Sequence, residues 1–346
     1  MKNKYEKLLT SPVRQDRKPL QELLPLEQPL RIFIDPCDIC NFRCSFCFQS
    51  HKDFRGSVMS ENIFDIVIQQ LKEFNEPINV IHLYGHGEPM LNENLPEFVK
   101  ILKENKVAKE VVVTSNGSRL SEEYSQRLVD AGLDRLSISL NGLSTEQFKK
   151  IVGVEADFES IYASIQYFYS IRKNCHLHIK INGECFSEEE QQRFICLFQD
   201  CCDTFNIDHV VNIWPGMEMT RERKHTIYDF DVDDTKNLRG GVLCPQMFYE
   251  LMVHSDGSVS PCCADCNYQN ENLGNVALIT LKEIWSGEKL LQMRLEALKG
   301  KEISYRICQA CDYPVCASSV NISQYREELL NKYDKVEHFR EKNKNG

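Results

Sequence analysis

The chain has 346 residues, 42% hydrophobic and 27% charged, enough apolar surface to bury a sizeable core and to exclude wholesale disorder. Its 51 acidic residues outnumber 41 basic ones for a net charge of −10, so the whole chain has no basic footprint for nucleic acid. The opening Met-Lys-Asn-Lys-Tyr-Glu-Lys lacks an apolar signal region, and no run reaches the roughly 18–20 apolar residues of a membrane span. The expectation is a cytoplasmic chain without nucleic-acid or membrane partners.

After an extension over 1–29, short β-rich runs alternate with helical patterns. Strands are predicted at 31–35 (RIFID), 80–84 (VIHLY), 110–114 (EVVVT), 135–140 (RLSISL), 177–181 (LHIKI) and 209–213 (HVVNI). Most are continuous apolar runs, as parallel strands covered on both faces require. Ser60 precedes Ile63, Phe64, Val67, Leu71 and Phe74 at helical spacing, and Ser144 with Gln147 and Ser187 with Glu190 read as capping boxes. The pattern predicts an α/β fold over 30–225, a parallel sheet curled into an open or partial barrel. Glycines follow five of the six runs (Gly85, Gly117, Gly142, Gly183 and Gly216), and a cysteine loop follows the first. Loops after the carboxyl ends of parallel strands build active sites, so this punctuation lies on one functional rim.

A charged, turn-rich stretch ending at 226–241 reads as a linker to a smaller α+β unit over 242–320. There Ser255-Asp256-Gly257 predicts a hairpin turn between 251–253 and 258–259, and Thr280 with Glu283 caps a helix carrying Leu281, Ile284 and Trp285. The charged segment 321–346 has Tyr325, Leu329, Leu330 and Tyr333 on one stripe, the pattern of a docking helix.

Sixteen cysteines in a chain without an export signal are not a disulfide framework, because the cytosol keeps thiols reduced. Cys40, Cys44 and Cys47 have the spacing CxxxCxxC, and three thiolates in one short loop can fold around a cubane of iron and sulfide, leaving one iron open. Cys37 offers a second register, Cys37/Cys40/Cys44, and also a four-thiol zinc site. Three residues between Cys40 and Cys44 are cramped for two independent zinc knuckles. Phe46, directly before the last cysteine, favours Cys40/Cys44/Cys47. Cys175, Cys185, Cys196, Cys201 and Cys202 have no ligand spacing and read as small buried hydrophobes.

CxxxCxΦC after a first strand resembles the radical S-adenosylmethionine (SAM) superfamily, and the resemblance runs through the barrel region. It implies a partial (β/α)6 TIM-like barrel in which Cys40, Cys44 and Cys47 hold a [4Fe–4S] cluster whose open iron chelates SAM. Gly85-His86-Gly87-Glu88-Pro89 looks like the family's GGEP motif, with His86 in place of the second glycine; its carbonyls and Glu88 would accept hydrogen bonds from the SAM ammonium. Thr114-Ser115-Asn116-Gly117 resembles the TNG segment, and Ser137, Ser139 and Asn141 fall where ribose-contacting groups are common. Asn141 replaces an acidic residue often seen there. The implied chemistry is one-electron cleavage of SAM to a 5′-deoxyadenosyl radical that abstracts hydrogen from substrate, with a flavodoxin- or ferredoxin-type electron donor.

Cys244, followed by twelve residues, Gly257, four residues and Cys262, resembles the opening of the family's SPASM domain, as do Leu273-Gly274-Asn275-Val276 and Ile284-Trp285. Cys244, Cys262, Cys308 and Cys311 resemble the shortened "twitch" set that holds one auxiliary [4Fe–4S] cluster. Cys316 is an alternative ligand, and the competing reading is a zinc ribbon of Cys263-x-x-Cys266 with Cys308-x-x-Cys311. Cys263, Cys266 or Cys316 could also donate hydrogen to a substrate radical, and with His86 and Glu184 they are the catalytic candidates. His86, Asn116, Asn182, Glu184 and Trp214, at strand ends, form the pool for substrate contact. The resemblance points first to oxidation or epimerisation of a sugar or aminocyclitol and next to modification of a ribosomal peptide. The rival from another class is a non-enzymatic zinc-binding or redox-sensor protein.

Overall fold

The structure, a computed structural model, describes residues 18–51, 54–208, 242–266, 268–309, 311, 313–316 and 320–344. A short α1 (Leu20–Leu23) precedes β1 (Arg31–Ile34), after which helices and strands alternate: α2 (Glu61–Leu71), β2 (Ile78–Leu83), α3 (Leu95–Asn105), β3 (Ala108–Ser115), α4 (Glu122–Asp130) and β4 (Arg135–Ser139). Then come α5 (Thr145–Val152), α6 (Phe158–Ile171), β5 (His176–Asn182), α7 (Glu188–Phe198) and β6 (Thr204–Asp208). The six strands are parallel and lie in chain order, the arrangement of a partial (β/α)6 barrel. Ile32, Ile34, Ile81, Leu83, Val111, Val113, Leu136, Ile138, Leu177 and Ile179, at alternate positions, are all fully buried on one face, and on the other Phe33, Val112, Ser137 and His178 are only 4–8% exposed, so both faces are covered.

The last predicted strand, 209–213, lies outside the described residues, as do Trp214 and Gly216. The observed β6 stands just before it and alternates Thr-Phe-Asn-Ile-Asp with only Phe205 buried. A strand at a sheet edge gives no continuous apolar run to read. The Ser187–Glu190 and Thr280–Glu283 capping boxes both form. At Ser144 only half a box exists, because the Gln147 side chain accepts from Leu143 N at 2.7 Å and donates to Glu190 instead.

Beyond the barrel, β7 (Glu250–Val253), β8 (Ser258–Ser260) and β9 (Gly274–Asn275) extend the same sheet. β7 pairs in parallel with β1 on the edge opposite β2, so that Ile34 faces Leu83 on one side and Val253 on the other. The predicted hairpin is present, with Gly257 at φ +83° where a side-chain-bearing residue would be strained. Arg31 on β1 donates to the fully buried Glu250 on β7 at 2.5 Å and to Gln246 and Tyr249 at 3.1 Å. The second unit is thus joined to the first through main-chain ladders and an ion pair whose carboxylate is buried and whose guanidinium is partly exposed. α8 (Leu281–Trp285), α9 (Glu288–Leu298), α10 (Arg306–Gln309), α11 (Tyr313–Cys316) and α12 (Arg326–Lys344) complete the described chain. α12 docks by its predicted stripe: Leu329 and Tyr333 are buried, and Tyr333 meets Phe248 edge-on at 5.6 Å. Among the described residues no helix is long and apolar enough to cross a membrane.

Candidate active site

The loop after β1 is pinned to the end of α5 by Arg43 N to Val152 O and Ser45 N to Ile151 O, and it closes on itself through Cys47 N to Cys44 O at 2.9 Å. Phe42 anchors it by packing on Phe148. Burial pushes the Cys40 thiol up to about 11 and raises those of Cys44 and Cys47. The charges of Cys47 and Cys40 act on Cys44, and that of Cys47 acts on Cys40, so the three thiols converge. Two side-chain amides are aimed at them: Asn116 Nδ2 is 4.0 Å from Cys40 Sγ and Asn141 Nδ2 is 3.7 Å from Cys44 Sγ. Phe46 is half-buried beside them. Cys37 is fully buried, donates to Ile39 O at 3.5 Å, and has Asp35, Asp38 and Glu88 as charged neighbours.

The Gly85–Pro89 loop lies directly against this one. A Cβ on Gly87 would stand 2.3 Å from Cys37 O and 2.4 Å from Ile39 O, so only glycine permits the approach. Glu88 N donates to Ile39 O, and Gln49 Nε2 clamps both loops by donating to Asp38 O and His86 O. The Glu88 carboxylate, only 2% exposed, accepts from Met90 N at 3.0 Å, Ser115 Oγ at 2.6 Å and Asn116 N at 2.7 Å. It is occupied in tying the second-strand loop, which Pro89 continues into a 3-10 turn, to the third-strand loop. Asn116 in turn bonds Asn41 Oδ1 and Ser118 N. Ser137 is buried and Ser139 half-buried on β4.

Asn182 is spent locally, on Cys185 Sγ and Glu184 N, and Glu184 is exposed. His86 is 5% exposed and packs among Phe48, Phe54, His254 and Tyr268 instead of lining an open cavity. Burial lowers its imidazole to about 4. Sequence reasoning missed several residues here. Asp35, Asp38, His254 and Tyr268 are buried against the same loops, and Cys185 is close enough to act on Cys44. Only Asp35, at the end of the first strand, offered a signal.

In the C-terminal unit, Cys244, Cys262, Cys308 and Cys311 line one cavity of about 330 Å³, together with Pro261, Ile307 and Tyr313. Burial raises the thiols of Cys244, Cys262 and Cys308; the charge of Cys311 acts on Cys244 and Cys308, and those of Cys308 and Cys244 act on Cys262. Cys263 is turned to Arg31 and Glu250, and its backbone N donates to Glu250 Oε1. Cys266 packs on Phe48 beside Cys47. The pairs Cys263/Cys266 and Cys308/Cys311 are therefore not brought together as a ribbon. The side chain of Cys316 lies outside the described residues. Both thiol sets suit iron and sulfide: soft donors in mutual repulsion, raised by burial, that a cationic cluster would hold as thiolates.

A parallel partial barrel with converging thiols on its rim and a second thiol-lined cavity alongside is the architecture of an iron–sulfur enzyme. Residues 34–195 match the family model described as the radical SAM superfamily, and residues 244–312 match an iron–sulfur cluster-binding domain, SPASM. The chain thus carries a radical SAM core followed by a C-terminal SPASM iron–sulfur domain. It is 37% identical over 131 residues to a probable GTP 3′,8-cyclase of Methanococcus maripaludis, 37% of this chain and 41% of that protein. A probable GTP 3′,8-cyclase of Sulfolobus acidocaldarius is 41% identical over 115 residues, 33% of this chain and 35% of the relative. The chain thus spans about two fifths or less of these relatives' lengths. Among solved structures, BtrN in complex with AdoMet and 2-DOIA aligns at TM-score 0.54 and 17% identity, over 85% of this chain and 96% of that one. Native anSMEcpe with bound AdoMet aligns at 0.58 and 17%, over 92% and 100%. Streptococcus suis SuiB bound to S-adenosylmethionine aligns at 0.58 and 16%, over 85% and 74%. At these identities the structures establish the fold.

Proposed function

We propose that Cys40, Cys44 and Cys47 hold the SAM-binding [4Fe–4S] cluster, that Cys244, Cys262, Cys308 and Cys311 hold one auxiliary [4Fe–4S] cluster, and that the enzyme dehydrogenates a sugar or aminocyclitol. The chemistry the bound cofactors supply is reductive cleavage of SAM to a radical that abstracts hydrogen. The chain's own part is positional. Gly87 lets the second-strand loop press on the cysteine loop, leaving carbonyls of residues 85–87 to receive the SAM ammonium, while Glu88 fixes that loop from behind. Asn116 and Asn141 direct amides at the thiols, which steadies them as thiolates.

The observation that carries the reading is the cavity lined by four cysteines of this chain. A cluster with four protein ligands has no corner for substrate, which suits acceptance of an electron from a substrate radical, the second half of a dehydrogenation. The BtrN alignment spans nearly all of that chain, which is in complex with AdoMet and 2-DOIA, in keeping with a small-molecule substrate. Peptide modification is the second reading, favoured by anSMEcpe with AdoMet and the Cp18Cys peptide, aligned over 99% of that chain at TM-score 0.57. A flavodoxin- or ferredoxin-type protein would deliver the electrons.

The test is mass spectrometry of sugars, aminocyclitols and peptides incubated with reconstituted enzyme, SAM and reductant in deuterated water. A two-dalton loss from a sugar or aminocyclitol is expected. Deuterium gain without that loss would replace dehydrogenation by epimerisation, and a modified peptide alone would overturn the substrate class.

A further inference from the structure

Three adjacent parallel strands, in the order β7-β1-β2, end side by side, and each presents a potential metal ligand just past its end. Asp35 follows Ile34, His254 follows Val253 (the register partner of Ile34), and His86 lies three residues beyond Leu83. A ligand atom from each of Asp35, His86 and His254 lies within 4.8 Å of the other two, and their exposures are 0%, 5% and 0%. Asp35 and His254 are each already held by a second atom. Asp35 Oδ2 accepts from His86 N at 2.7 Å. His254 Nε2 is 2.7 Å from Ser260 Oγ, whose proton goes to Asp265 Oδ2 at 2.8 Å. Ser260 must then accept from His254 Nε2–H, which leaves His254 Nδ1 as a lone pair.

Two atoms of the trio, Asp35 Oδ1 and His254 Nδ1, are buried and have no hydrogen-bond partner. The His254 ring is locked by stacking on Tyr268 at 3.5 Å and 6°, and Tyr268 is anchored through its hydroxyl to Asp38. Asp35 and Asp38 are both fully buried, and among the described residues neither forms a salt bridge with Lys or Arg. A dication would neutralise this pair.

We propose that Asp35, His86 and His254 form a mononuclear site for a divalent transition ion of the zinc type, separate from both cysteine sets. Two imidazoles and one carboxylate are a borderline donor set that suits zinc. Two ligands come from the barrel rim and the third from β7, so the ion staples the C-terminal hairpin to the barrel. Because the site is closed, the ion enters as the hairpin docks and exchanges slowly. His86 stands where the commoner form of the motif has a glycine.

The probe is zinc, supplied during growth and during anaerobic reconstitution of the full-length holoprotein. One zinc per chain is expected beyond the cluster iron, and zinc-edge X-ray absorption should show a nitrogen and oxygen shell at about 2.0–2.1 Å with no sulfur at about 2.3 Å. Asp35→Asn and His254→Gln should each lose at least nine tenths of the zinc at unchanged iron content. A sulfur shell would assign the zinc to cysteines and overturn the proposal. So would a wild-type chain without zinc, whose trio would then be a hydrogen-bonded cluster sharing protons, or variants that keep the metal. The wild-type absorption spectrum decides even if a variant folds poorly.

Discussion

At Glu88 one carboxylate joins two loops. Its oxygens accept from a hydroxyl and two backbone N–H groups, and burial raises its proton affinity while the bonds from Asn116, Ser115 and Met90 oppose that rise. Glu88→Gln keeps the shape but turns an NH2 toward a donor, leaving a buried N–H unsatisfied. The expected loss is about 1–3 kcal/mol of stability, read as a lower denaturation midpoint, together with weaker SAM binding in equilibrium dialysis. Unchanged stability with impaired SAM binding would instead return Glu88 to direct ligand contact. Sequence showed which residues are special here but not which way they face. Spacing singled out Glu88 and His86 as ligand-facing groups, yet the fold turns the first toward Ser115 and Asn116 and buries the second among aromatic rings. The direction of a loop side chain depends on what packs behind it, here Tyr268 and His254 from more than a hundred and sixty residues downstream.

At the level of elements, β5 and β6 are held at their entry by Arg172 and Asp203. The guanidinium forks onto the carboxylate at 2.9 and 2.7 Å and lies 3.7 Å over the Tyr169 ring, while Asp203 also accepts from Leu177 N. Burial alone would raise Asp203, but the Arg172 and Leu177 bonds outweigh it and hold the carboxyl below its usual range. A carboxylate with a lowered folded pKa contributes stability that is present above its unfolded value of about 3.9 and fades as the pH falls through the folded value. Asp203→Asn should therefore cost about 1–2 kcal/mol at pH 7, discounted for partial exposure, and the gap between variant and wild type should narrow below about pH 4. A gap independent of pH would mean that packing, not charge, makes the difference. Strands with both faces covered were legible as apolar runs, and β6 was not, because it alternates. Ser144 and Gln147 have the sequence of a capping box, but Glu190 on α7 draws the glutamine away, a competition no local pattern reveals.

Across the whole molecule, the fold and the two thiol sets were both legible because each is written in spacing. Apolar runs at regular intervals gave the barrel, and cysteine intervals singled out the seven thiols that the structure gathers into two groups. Their joining was not legible. Sequence suggested a separate unit after a linker, whereas β7 extends the barrel sheet along β1 and the Arg31–Glu250 pair crosses the join. Which strand edge accepts a later hairpin is a long-range choice with no local signature. One consequence is that Cys266, from the C-terminal unit, packs on Phe48 beside Cys47.

The most direct test of the central assignment compares four alanine variants of the anaerobically reconstituted full chain, at Cys37, Cys40, Cys44 and Cys47, by iron content and by 5′-deoxyadenosine released from SAM under strong reductant. Wild type and Cys37→Ala should hold about eight irons, the content of two four-iron clusters, and should release the nucleoside. Each of the other three should fall to about four irons and release none. Loss of release in Cys37→Ala, or its survival in any of the other three variants, would contradict the account.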